Sequence, residues 1–518
     1  MNSDTADPPV RAVCPPVVDT ASELVAPLQP HAPGRDWAGS APGWWARLRA
    51  DPERMTAVRE TWRALWTSRL LVWVAGVGTL LTFGFGPVRN AFNPPGLTRG
   101  FGWLGDLLAA PAARWDAAWY LVIARYGYRP DLGPFTSSRT AFFPLYPLGL
   151  RGITWLGAPP VLAGVLLSLL ALALALYGIH RLTTLELATG GRATGGTGPG
   201  GLGRLAGGGF GNAEVARLAV MLTAFAPMAF YFSAVYSESL YLALSVGLFW
   251  SARQGRWAWV GVLGALAAAT RSAGLVLALP ALMLYLYGPR ADRLPDFPGE
   301  EQARAARDGA GRAGVAASIL VLLRRLRPRY RLRRDVLWLG LLPVGVILYG
   351  VYLALSGGDV LTPLHAQDVW GRHFAGPYVG VWDGVRAAFD GARQLLSFQR
   401  HHLYFPIAAG SPLVNAGHNL ILLAFLIAVV PALLGVLRVL PLAYGAYVIA
   451  ALALPLSDPV TAQPLMSLPR FLLVLFPLNI WFAGWLAPRP RARVLALAAF
   501  ALLMAFFVAQ FATWHWVA

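Results

Sequence analysis

The chain has 518 residues, 56% hydrophobic and 13% charged, with a mean hydropathy of +0.53. Soluble domains carry about 25% charged residues, so this composition excludes an ordinary water-soluble protein and points to an all-α polytopic membrane protein. The formal charge of +18 comes from arginine without any lysine, which we read as topogenic and headgroup-facing; no nucleic-acid partner is expected.

Residues 1–64 read as a polar, Pro-rich and largely disordered cytoplasmic tail, without the apolar core of a cleavable signal peptide. Its lone Cys14 excludes an intramolecular disulfide and a Cys-rich metal site. Arg47, Arg49, Arg54, Arg59, Arg63 and Arg69 precede the first apolar run, Leu70–Val88, and place that end in the cytoplasm. A transmembrane domain then occupies 65–518, with a first outer loop at 89–158 and a second span at about 158–180. The insert 181–214 is so rich in glycine that it reads as a flexible cytoplasmic linker, without a phosphate-loop signature. A third span, about 216–235, ends at "YSES", and a fourth runs to Arg253 and Arg256.

Trp257–Tyr287 is interrupted only by Arg271. As one helix of 1.5 Å per residue it would be about 46 Å long, against a hydrocarbon core near 30 Å. The chain is therefore predicted to turn near "TRSAG", as two short crossings or as tilted, partly re-entrant segments. The loop 289–334 holds twelve arginines and belongs in the cytoplasm. Spans near 335–356, 417–437, 440–456, 470–487 and 493–513 follow, with a second large outer loop at 357–416. The count is about eleven, with the N-terminus inside and the C-terminus outside.

Under this topology every polar oddity near membrane depth falls on the outer face. Asp116 lies in "RWDAAWYLVIARYGY", where Trp115–Tyr128 could form an amphipathic interfacial helix. Asp116 is either that helix's cap or a general base beside a lipid-embedded substrate. Glu238 and Arg271 could form a structural ion pair, or Glu238 could hold Arg271 toward an anionic headgroup. The second outer loop contributes "PLHAQDVWGRHF". His365, Asp368 and His373 match no zinc spacing, whereas Gln367, Trp370 and Arg372 suit sugar and phosphate. Arg470 is a further phosphate candidate or an interfacial, snorkelling arginine. Sugar transfer on an outer face suits a lipid-linked donor, whose phosphate leaves as a stable anion held by arginine. One carboxylate then activates the acceptor, and a single displacement inverts the anomeric centre.

The segments "RWDAAWYLVIARYGY…AFFPLYP", "FYFSAVYSESLYLALS", "AAATRSAGLVL", "AQDVWGR" and "SLPRFLLVLFP" together resemble the PIG-V family, mannosyltransferases of the GT-C superfamily. The resemblance spans roughly 65–490 and suggests a bacterial member. It implies a GT-C fold with interfacial helices in the first outer loop, a polyprenyl-phosphate-mannose donor, and a lipid or glycan acceptor. It also implies an active site on the outer face of the inner (plasma) membrane. The family's Trp-Asp pair falls on Trp115 and Asp116. Arg114, Trp115, Tyr120, Tyr236, Glu238, Arg271, Gln367, Trp370, Arg372 and Arg470 are expected to bind substrate, with Asp116 catalytic. The chain has Ala273 where the family often has Asn. No cofactor is expected, a divalent metal being left open. The alternatives are transfer of another sugar, or a lipid-linked sugar transporter, which would favour internal repeats and mid-membrane charges.

Overall fold

The computed structural model describes residues 51–86, 92–128, 136–189, 201–206, 211–296, 328–404 and 411–517. From Pro52 onward they belong to one unit, and among the described residues all extended regular structure is helical. The first half holds α1 (Pro52–Phe83), α2 (Ala117–Tyr126), α3 (Leu145–Trp155), α4 (Pro160–Thr189), α5 (Asn212–Ala224) and α6 (Glu238–Arg253). Then come α7 (Trp257–Ala268), α8 (Ala278–Tyr287), α9 (Val344–Leu355) and α10 (Pro377–Ser397). The chain closes with α11 (Pro412–Val439), α12 (Leu442–Ser457), α13 (Leu468–Leu473), α14 (Phe476–Leu486) and α15 (Pro490–Ala512).

Helices α1, α4, α11 and α15 are each long and apolar enough to cross a membrane, and the bent pair of Arg334–Leu341 with α9 brings the number to five. The other apolar segments expected to cross are helices of 10 to 16 residues. At 1.5 Å per residue they reach about 15–24 Å, short of a full hydrocarbon core, and several continue as irregular backbone. The expected break at "TRSAG" is present: α7 stops at Ala268, Arg271 is extended, and a 3-10 turn over Ser272–Leu277 leads into α8. Pro227, which lacks an N–H to continue the ladder, follows the end of α5.

Broken helices leave carbonyls that apolar surroundings cannot satisfy. Here the breaks satisfy one another. Val235 donates to the Ala112 carbonyl (2.9 Å), Leu145 to Ala269 (3.0 Å), and the Ser168 hydroxyl to Ala234 (2.8 Å). Arg69 donates to the carbonyls of Ala224 (2.9 Å) and Ala229 (2.7 Å) and to the Ser233 hydroxyl (3.1 Å). These bonds tie the break near 112 to that near 234, and the turn near 145 to that near 269.

Several expectations need correction. Arg69 is no topogenic surface charge: it is buried within α1 and serves the break after α5. The tail boundary at 64 is too late, because α1 begins at Pro52; residues 1–50 lie outside the described residues. In the 181–214 insert, α4 continues to Thr189 and Gly201–Leu205 is helical, with 190–200 and 207–210 outside the described residues. Most of the basic loop, 297–327, also lies outside them. Helix α2 is not a surface helix. Ala117, Tyr120, Leu121, Ile123 and Ala124 join the main core against α3 and the 230–237 segment, because both faces of this short helix carry apolar residues.

The 357–416 loop holds a long helix the sequence reading left unassigned. Helix α10 packs a face of small residues against α11 and α12. A Cβ at Gly380 would fall 2.0 Å from the Leu456 carbonyl oxygen, so only glycine permits that approach. Its opposite face exposes Tyr378, Trp382, Val385, Phe389 and Leu396, at helical spacing and in the pattern of a helix lying in a membrane interface.

Candidate active site

Asp116 stands at the N-cap position of α2, yet its side chain makes no capping bond. The capping alternative therefore fails. Instead Oδ2 accepts from Nη1 of Arg470 at 2.8 Å, across 354 residues of sequence. Among the described residues Oδ1 takes no protein hydrogen bond, and the carboxylate side chain is 12% exposed.

The backbone on both sides of this pair is strained. Trp115 (φ 53°) and Ser467 (φ 69°) are non-glycine residues in the left-handed region, a conformation that costs about 1–3 kcal/mol and clusters at functional sites. Trp115 turns the chain so that the Asp116 N–H donates to the Tyr236 hydroxyl (3.0 Å), while that hydroxyl donates to the Arg114 carbonyl (3.0 Å). Tyr236 thus clamps the turn that presents Asp116. Ser467 opens α13 and aims Arg470 back at Asp116.

Glu238 links the two arginines. Its Oε1 lies 2.9 Å from Nη1 of Arg271 and 3.2 Å from Nε of Arg470, with the side chain 1% exposed. Oε2 is buried without a hydrogen-bond partner. Arg470 lies over the Tyr231 and Tyr236 rings, and Arg271 over Phe471. The charges alternate along a line: Asp116, Arg470, Glu238, Arg271.

Arg372 adds a third cation. Its guanidinium donates to the carbonyls of Asp458 (3.2 Å) and Met466 (3.3 Å), and it forms no ion pair among the described residues. Burial, with Arg470 nearby, pushes its pKa down to about 10, so it remains charged at neutral pH and would gain from an anion. Among these five groups there are three positive charges and two negative ones.

The other candidates surround this core unequally. The Tyr120 hydroxyl bonds Ser237 Oγ at 2.9 Å, and burial, then the Glu238 charge, pushes its pKa up to about 12. It is a proton donor at neutral pH, not a base. Trp370 is linked more loosely, packing on Phe142 (6.0 Å), which packs on Tyr120 (5.2 Å). The Gln367 side chain is half-buried without a bond among the described residues; its carbonyl accepts the Arg372 N–H. Arg114 does not join the cluster. Its Nε donates to the Ala512 carbonyl (3.1 Å) and its guanidinium covers Trp514, so it fastens the C-terminal segment. His365, Asp368 and His373 are all exposed, and no three His, Cys, Asp or Glu residues among those described come together as metal ligands. The sequence reading missed Ser467 and Trp516, which packs on Trp115 at 5.3 Å. The aromatic run "TWHW" was the available signal for Trp516; Ser467 left none.

No family model matches the chain, and no curated protein matches it. Among solved structures, the crystal structure of the Archaeoglobus fulgidus oligosaccharyltransferase, tethered with an acceptor peptide containing the NVT sequon, aligns at 14% identity and a TM-score of 0.34. The alignment covers 87% of this chain and 55% of that one, so the chain spans about half the length of that structure. At that similarity the chain's own geometry carries the functional reading.

Proposed function

We propose that this all-helical membrane protein is an inverting glycosyltransferase. In this reading it moves mannose from a polyprenyl-phosphate-mannose donor to a hydroxyl of a lipid or glycan acceptor, at the outer face of the plasma membrane. The supporting observation is the Asp116–Arg470–Glu238–Arg271 line with the unpaired Arg372 beside it. The sugar and donor follow the motif resemblance to the PIG-V family.

Asp116 Oδ1 takes the proton of the acceptor hydroxyl while that oxygen bonds the anomeric carbon. The bond from that carbon to the donor phosphate breaks, and polyprenyl phosphate leaves with the electron pair. The net positive charge of the arginine cluster stabilises the developing phosphate dianion. Arg470 couples the two events. As Asp116 becomes neutral its hold on Arg470 weakens, and the guanidinium becomes available to the leaving group. Glu238 keeps both arginines in place.

The test is product formation by the purified protein from polyprenyl-phosphate-mannose and, in parallel, polyprenyl-phosphate-glucose. Inverted mannosyl product, at equal rates in magnesium and in chelator, is expected, since arginine takes the phosphate charge. Preference for glucose would reassign the sugar. No transfer from either donor to membrane acceptors would overturn the reading.

A further inference from the structure

The turn that presents Asp116 is held from outside its own helix. The first N–H groups of a helix need acceptors, and an Asp at the N-cap ordinarily supplies one through its side chain. In α2 the backbone does so instead. Ala117 donates to the Arg114 carbonyl (3.2 Å), Ala118 to that of Trp115 (3.1 Å) and Trp119 to that of Asp116 (3.0 Å). The carboxylate is thereby released to meet Arg470. This arrangement comes with Trp115 at φ 53°, which costs a residue with a Cβ about 1–2 kcal/mol, so other contacts must hold it.

Two elements distant in sequence supply them. One is the Tyr236 hydroxyl, bonded to both the Asp116 N–H and the Arg114 carbonyl. The other is the segment 513–517 that follows α15. Arg114 donates through Nε to the Ala512 carbonyl, and its guanidinium stands 4.5 Å over the Trp514 ring. The Trp115 ring meets those of Trp514 (5.6 Å) and Trp516 (5.3 Å) edge to face. Trp514 is buried and left-handed itself, at φ 66°. A Cβ on Gly86, just past α1, would come within 2.6 Å of the Thr513 carbonyl oxygen, so the segment is seated closely against that end of α1. It grips both residues that precede Asp116. Phe511 of α15 also packs on the Tyr236 ring at 6.1 Å, so the two holds meet.

We propose that the segment 513–517 is a positioning strap for the base. With Tyr236 it holds the Arg114–Trp115 turn left-handed, and so keeps the Asp116 carboxylate on Arg470 and the acceptor instead of on the N–H groups of α2. Trp514 and Trp516 act through Trp115 and are positioning residues. The inference rests on the transfer reading for the role of Asp116, and adds that a segment beyond the last long helix sets its geometry.

The experiment pairs amide hydrogen exchange over 114–119 with steady-state kinetics on polyprenyl-phosphate-mannose, using the full chain in detergent. In the Trp514→Ala, Trp516→Ala double variant, exchange over 114–119 should quicken while α4 and α6 keep their wild-type rates. Its kcat should fall about 10²-fold, the cost of a misplacement near 1 Å, with the donor KM unchanged because the arginines are untouched. Tyr236→Phe keeps the ring and loses the hydroxyl, and should lower kcat about tenfold, the scale of a lost hydrogen bond. Arg114→Gln loosens the same grip and serves if the double variant does not fold. Unchanged exchange overturns the proposal, as does faster exchange with unchanged kcat. A raised KM at constant kcat also overturns it, by making the two tryptophans a substrate wall. Exchange is measured without substrate, so failure of the strap and failure of the transfer reading are read separately.

Discussion

The two ends of the helix bundle bury acids and arginines by different rules. At one end Glu186 of α4 meets Arg253 of α6 at 2.6 Å, with side chains 3% and 2% exposed. The Tyr444 hydroxyl donates to the same carboxylate at 2.7 Å, and Arg253 also donates to the Pro289 carbonyl. More exposed acids elsewhere also pair with arginines: Glu53 with Arg181, Glu214 with Arg493, Asp292 with Arg290. Each of these acids answers an arginine. At the other end two carboxylates face three arginines, Asp116 Oδ1 and Glu238 Oε2 take no hydrogen bond among the described residues, and two left-handed residues hold the arrangement. A buried ion pair by itself marks structure. Surplus charge and strained backbone set the other end apart and are the basis for proposing it as the active site.

The sharpest way to break this comparison is Asp116→Asn. It should lower turnover by about 10²–10⁴, or roughly 3–5 kcal/mol of transition-state stabilisation. Fold and donor binding should persist, because Glu238 still holds Arg470. Turnover above about a tenth of wild type, against the loss expected for a base, would return Asp116 to a structural role. Glu186→Gln should do the opposite. Losing one partner of a buried pair costs about 3–5 kcal/mol of stability, read as thermal unfolding in detergent, while turnover per folded molecule stays near wild type.

Arg372 sharpens the comparison at smaller scale. Arg372→Gln should raise the donor KM about ten- to hundred-fold, the range of a lost charge-assisted hydrogen bond. Arg372→Lys should fall between, since an ammonium lacks the planar fork. An unchanged KM in both would make Arg372 a loop strut. The smallest effect belongs to Ser467. Relief of left-handed strain by Ser467→Gly offsets the extra unfolded-state entropy of glycine, for a net change within about 1 kcal/mol. Ser467→Val should instead destabilise, and equal melting of the two variants would remove strain from the account.

The sequence carried most of the apolar helices and the turn at "TRSAG", though not α10 or the start of α1. The break at "TRSAG" was expected because one helix over Trp257–Tyr287 would overshoot the hydrocarbon core and because Arg271 interrupts the run. Asp116, Glu238, Arg271, Arg372 and Arg470 stood out individually, each an ionised group beside apolar residues and near a helix end. Their partners did not. Whether Asp116 capped α2 or met Arg470 depended on a contact across 354 residues, and no local pattern encodes such a pairing. Arg114 and Asp116, two residues apart, were both expected at the site, yet the left-handed turn at Trp115 sends one toward Ala512 and the other toward Arg470.

The apolar helix-forming segments are therefore properties of this chain by itself, set by apolar run length and arginine placement, which act locally along the chain. The tertiary structure decided where charge is spent. It buried Arg69 to satisfy the carbonyls freed after α5, laid α10 across α11 and α12 on a glycine face, and placed Trp516 against Trp115. Those outcomes depend on which irregular backbone must be hydrogen-bonded inside an apolar bundle, a demand that arises only once the helices have met.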